Sequence, residues 1–168
     1  MRALYLFTVW LHLLAASVWI GGMAFLALVL VPLVRRPENR GVAAALFHRT
    51  GVRFRTVGWA CLGLLVLTGA FQLAVRGYDW GDLVSGRLWE GSSGRILALK
   101  LLLVAVVLGL SVVHDFAIGP RATALWQADP ASPQARRLRR QASWIGRLNL
   151  LLALGAVALG VMLVRGAP

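Results

Sequence analysis

Acidic residues are scarce in this chain: 168 residues hold six, against 18 lysines and arginines. Lysine occurs once, as Lys100, and cysteine once, as Cys61. A lone cysteine excludes an intrachain disulfide and a CxxC metal pair, and it reads as a small apolar filler of its helix. Met23 and Met162 stand far apart, so there is no methionine-rich relay of soft thioether ligands, which argues against a dedicated copper(I) channel. Charged residues make up 14%, where a soluble domain carries about a quarter. What fills the space is apolar: 59% of the residues are hydrophobic and the mean hydropathy is +0.74. Several runs reach the roughly 20 residues needed to cross a hydrocarbon layer of about 30 Å. The expected fold is an all-α membrane protein, a four-transmembrane-helix bundle forming one membrane domain over 1–168.

The spans fall at about residues 4–34, 57–75, 95–118 and 146–165. The opening run resembles a signal peptide, but it continues to Val34, well past the roughly 7–15 apolar residues of such a segment, and ends in Arg35-Arg36. It is read as a retained helix. The net charge of +12 sits in two connections. Arg35, Arg36, Arg40, Arg49, Arg53 and Arg55 follow the first span, and Arg121, Arg136, Arg137, Arg139, Arg140 and Arg147 the third. The middle connection sets Arg76 and Arg87 against Asp79, Asp82 and Glu90. The positive-inside rule then places both basic connections in the cytoplasm of a cell-membrane protein and both termini outside. Arginines flanking membrane segments serve anchoring and orientation, so no nucleic-acid partner is expected. Trp80 and Trp89 are expected as outer interfacial aromatics, Trp126 and Trp144 as inner ones. Residues 38–56 suit an interfacial helix or an extension of span two, and Asp129-Pro130-Ala131-Ser132-Pro133 a turn that starts a new basic helix.

Polar residues inside the spans are costly without partners and are functional candidates by default. Tyr5, Thr8, His12, Ala15, Ala16, Trp19 and Met23 share one face of span one. Cys61, Thr68 and Gln72 share a face of span two, and Lys100, Val107, Ser111 and His114 one of span three. Gly146, Asn149, Ala153, Ala156 and Gly160 make a small-residue stripe on span four that permits close helix approach. Counted at about 1.5 Å per residue, His12, Lys100 and Thr68 lie about 14, 8 and 12 Å below the outer surface, and His114 near 29 Å. His12 and His114 therefore cannot share one metal, whose nitrogen ligands stand about 2 Å away.

Two readings accompany each candidate. His12 either ligates a metal or cofactor, or donates to a carbonyl of a neighbouring helix. Lys100 either serves a bound cofactor as a compact, deprotonatable amine or snorkels outward. His114, followed by Asp115, is a carboxylate-oriented metal ligand or an interfacial His–Asp pair. His48 joins it as a metal ligand or is a surface residue.

The run His12-x6-Trp19-Ile20-Gly21-Gly22 resembles the opening helix of the copper-resistance D (CopD) family. Gly94-Arg95-x4-Lys100-Leu101, His114-Asp115-Phe116 and Gly119-Pro120-Arg121 are similar to its small members as well. That resemblance implies a four-helix membrane unit of copper transport or homeostasis, with His12 the residue best carried over. A second resemblance is to HemJ-type protoporphyrinogen oxidases, which share a His-x6-Trp-x-x-Gly opening with a lysine and a histidine on the third span. It implies haem b held by His12 with Lys100 assisting at a propionate or as a proton donor, although Leu30-Val31-Pro32-Leu33-Val34 departs from the HemJ ending of the first helix. The alternatives are thus copper handling, a haem-binding oxidoreductase, and a non-catalytic partner subunit or homo-oligomer in which His12 only packs.

Overall fold

The structure is a computed structural model, and it describes residues 2–86, 90–129 and 131–165. Arg87, Trp89 and Pro130, to which the sequence gives interfacial or turn roles, lie outside the described residues. Four long apolar helices dominate the described chain, and each is long enough to cross a membrane: Arg2–Val34, Gly41–Val75, Gly91–Ala128 and Pro133–Arg165. The protein is a multi-pass membrane protein. At 33 to 38 residues these helices run about 50–57 Å, well beyond a hydrocarbon layer of about 30 Å. The excess stands at the arginine-rich end, where helix α3 (Arg40–Val75) and helix α7 (Pro133–Arg165) begin. Residues 40–56 are therefore an extension of span two, and the basic segment after Pro133 is continuous with span four.

Prolines shape the first and third spans alike. Helix α1 (Arg2–Phe25) passes through a π turn, Leu26–Leu30, into α2 (Val31–Val34). Helix α5 (Gly91–Val112) passes through a π turn, Val113–Ile118, into α6 (Gly119–Ala128). Each π turn is closed by the N–H of the residue just before a proline: Val31 donates to the Leu26 carbonyl and Gly119 to that of His114. A proline ring clashes with the carbonyl four residues back and has no N–H to offer it. A wider turn is one way for the helix to continue past the ring.

Two antiparallel hairpins result, α1 against α3 and α5 against α7, with α1 also meeting α7. Large apolar side chains point outward on all four, among them Leu13, Leu67, Leu102 and Leu151, as lipid-facing surfaces require. The buried core is small and central: Ala15, Trp19, Cys61, Leu62, Val107 and Ala153. Aromatic rings in α1 and α3 fill glycine notches reciprocally. Trp19 lies over Gly58 at 3.5 Å from the position a Cβ would take, and the Phe54 ring occupies the space a side chain on Gly22 would need. The Trp19-x-x-Gly22 signature is thus the α1 half of a helix–helix contact.

At the basic end, Leu30, Val34 and Ala43 form a second cluster, with Phe47 and Trp126 packed on it. Arg139 lies 3.7 Å above the Trp126 ring, which ties α7 to that cluster. At the opposite end Gly77, at φ +84, takes a left-handed conformation that glycine adopts without strain. Helix α4 (Trp80–Ser85) follows, closed by a reciprocal cap between Asp79 and Asp82. Two of the middle connection's acids are thus engaged in capping.

Candidate functional site

On α1, His12 faces α3. Its Nδ1 lies 2.7 Å from Thr68 Oγ1, and a hydroxyl has a single proton to donate. The Thr68 hydroxyl is 2.6 Å from the Leu64 carbonyl one turn back, a contact only a donated O–H can make. Thr68 therefore accepts from His12, and the proton of the neutral ring resides on Nδ1. Nε2 is left with its lone pair, and the ring also meets the Leu65 carbonyl of the facing helix. Gly69 adds room, since a Cβ there would sit 3.6 Å from His12 Cε1. One turn away the Gln72 amide contacts the Thr8 carbonyl at 3.5 Å. The expected clustering of His12 with Thr68 and Gln72 is what the α1–α3 register produces.

Lys100 reaches the same level from α5, close enough for its ammonium to disfavour a positive charge on His12. Its Nζ rests on the bare backbone of Gly160, 3.1 Å from where a Cβ would stand. No hydrogen bond or ion pair engages it among the described residues. The α5–α7 register that seats Lys100 on Gly160 also brings Ser111 to Asn149, where the amide Nδ2 donates to the hydroxyl at 2.8 Å. That pair is buried, and Asn149 Oδ1 has no partner.

Asp115 organises the second level. Neighbouring residues on a regular helix do not face each other, yet in the π turn His114 Nδ1 donates to Asp115 Oδ1 at 2.8 Å. The indole N–H of Trp59 donates to the other carboxylate oxygen at 3.0 Å. The Asp115 carbonyl is also occupied, by Arg55 Nη1 at 3.2 Å. This follows from the proline: the Gly119 N–H is committed to His114, and Pro120, next in line, has no N–H. Gly119 is needed here, because a Cβ would come 2.8 Å from the His114 carbonyl oxygen. His114 is oriented through Nδ1, as His12 is, its side chain is 35% exposed, and among the described residues no hydrogen bond engages Nε2.

Nine residues of α3, about 14 Å, separate Thr68 from Trp59. The two histidines occupy separate levels, as their spacing implies, and do not form a pair at one height. His48 is exposed on α3, seven residues or about 10 Å beyond Arg55. No hydrogen bond or ion pair joins it to His114. Among the described residues no group of three or more His, Cys, Asp or Glu side chains is placed to hold a metal ion. Trp59 and Arg55 are neighbours of Asp115 that sequence reading misses. Arg55 reads as a topology charge, and only its i, i+4 spacing from Trp59 hints that both address one point.

Comparison with known proteins gives two findings. A match to the copper resistance protein D family covers residues 48–163. It includes Thr68, Lys100, His114, Asp115 and Asn149, while His12 precedes it. An uncharacterized protein of Aquifex aeolicus (strain VF5) is 33% identical over 99% of this chain and 97% of its own length. No solved structure matches. Neither finding supports the resemblance to haem-binding oxidases. More than half of the chain lies within the matched region, and the protein belongs to the copper resistance protein D family.

Proposed function

We propose that the protein moves or hands on copper within the membrane, with His12 and His114 as two single-imidazole stations on its route. One observation carries this reading: both rings are held through Nδ1, by a hydroxyl and by a carboxylate, which leaves the lone pair of each neutral ring on Nε2. Histidines that bind metals usually donate their other ring N–H to such a partner. An imidazole is an acceptable copper ligand, but one nitrogen per level makes a weak site. Weak serial sites suit passage, in which an ion must leave as readily as it enters. Lys100, when protonated, opposes a cation at His12 and shortens its stay. The unpaired Asn149 oxygen adds a polar atom between the levels. His48 is proposed only as a surface residue on the approach to His114.

Copper content of cells tests this reading. Cells producing the native chain should differ in copper content, measured by elemental mass spectrometry, from cells producing His12→Ala or His114→Ala at matched protein levels. Equal content in all of these and in cells lacking the protein would contradict it. A visible spectrum of the purified protein serves as a check, since a Soret band would move the reading to haem.

A further inference from the structure

Helix α7 presents Arg137, Arg140, Gln141, Trp144 and Ile145 at positions i, i+3, i+4, i+7 and i+8, which is one face of a helix. This face borders an open groove of about 460 Å³ that Ile118, at the end of the second π turn, also lines. None of the six lining residues is acidic. Among the described residues, no carboxylate pairs with Arg137 or Arg140. Arg147 does not line the groove; it lies one turn to the membrane side of Trp144, 5.7 Å from the centre of that ring.

The height of the groove is informative. About 20 residues cross the hydrocarbon, so the apolar run 146–165 ends at Ile145 and Trp144. Arg140 and Arg137 then stand roughly 5–12 Å further out, at the depth of phospholipid headgroups. Trp144 is 59% exposed, as an aromatic at a membrane–water boundary is expected to be. The lower half of the groove is apolar and the upper half cationic.

We propose that this groove is a binding site for an anionic phospholipid, with the phosphate on Arg137 and Arg140 and an acyl chain along Ile118, Trp144 and Ile145. A soluble phosphate would leave the apolar half exposed, and a neutral lipid would leave two guanidiniums unpaired. On the topology expected from the arginines, the groove opens to the cytoplasmic leaflet, whose anionic lipids attract such clusters.

The test is native mass spectrometry of the full chain in detergent, with phosphatidylglycerol and phosphatidylcholine of identical acyl chains added in turn. Native protein should retain phosphatidylglycerol preferentially. Arg137→Gln with Arg140→Gln should lower that retention by about fivefold per arginine, about 30-fold for the pair. Arg137→Lys with Arg140→Lys should keep most of it, which shows that the bundle tolerates change at these positions. Ile145→Trp fills the groove with both charges present and should also displace the lipid. Arg136→Gln, on the same helix outside the groove, should change nothing. Equal retention of the two lipids, full retention in the Ile145→Trp variant, or a loss at Arg136→Gln equal to the pair's would overturn the proposal. Displacement by glycerol phosphate at lipid concentrations would show a free-phosphate site instead and overturn it too.

Discussion

His12 and His114 are held through the same ring nitrogen, but by partners of different strength and in backbone of different kind. His12 sits on a regular stretch of α1, and its partner is a neutral hydroxyl that is itself tied to its own helix. His114 sits in a π turn, and its partner is a carboxylate braced by an indole N–H from another helix. Hydrogen bonds to charged acceptors are roughly twice as strong as neutral ones. The difference follows from depth. A carboxylate at the level of His12 would be costly in hydrocarbon, whereas His114 stands close to the basic end, where Asp115 has Arg55 nearby. The His12 level thus achieves orientation with a neutral hydroxyl, and the His114 level with a carboxylate.

That contrast predicts that the two levels respond unequally to loss of their orienting groups. The largest effect is expected at Asp115→Ala, which releases His114 and leaves the Trp59 N–H without its acceptor. Copper flux into proteoliposomes should fall about 10- to 100-fold, the usual range for removing a group that orients a metal-binding histidine. Flux equal to native would show that the π-turn pair only anchors the helix. Thr68→Val should reduce flux less, about tenfold, while Thr68→Ser, which keeps the hydroxyl, should restore most of it. Equal loss in Val and Ser would mean that the threonine matters for packing and leaves His12 indifferent.

The elements legible in the sequence are those written in apolar runs and in charge. Four spans, the two basic connections and the antiparallel depths of His12, Thr68 and Gln72 all follow from counting residues. What could not be counted was the effect of proline on helix width. Pro32 stands near the end of the first span, and Pro120 in a family motif. In the structure each follows a π turn, and the second of these brings His114 to Asp115 and exposes a carbonyl to Arg55. A regular 3.6-residue periodicity does not predict that meeting. Likewise Gly22 reads only as part of a family motif, because a notch is defined by the ring from the facing helix that fills it.

Smaller effects sharpen the comparison at the His12 level. Lys100→Met keeps an unbranched chain on Gly160 and removes the amine. Copper(I) retention by the purified protein, measured by competition with a chelator, should rise on the order of threefold as the opposing charge is lost. Unchanged retention would leave Lys100 a snorkelling residue. Cys61→Ala should have the smallest effect on transport. The thiol is buried among Ala15, Trp19 and Val107, so its loss is expected to cost about 1 kcal/mol of stability with flux unchanged. A drop in flux without loss of fold would place a third copper ligand between the two levels.

The central claim is that His12 and His114 act one after the other on one route, and a double-variant flux measurement tests it most directly. Copper flux is compared in proteoliposomes holding equal amounts of native protein, His12→Ala, His114→Ala and the double variant. Stations in series predict that each single variant loses more than about tenfold and that the double variant loses no more than the worse single one, a strongly non-additive result. Single variants at native flux, or native flux no faster than in protein-free liposomes, would contradict the account.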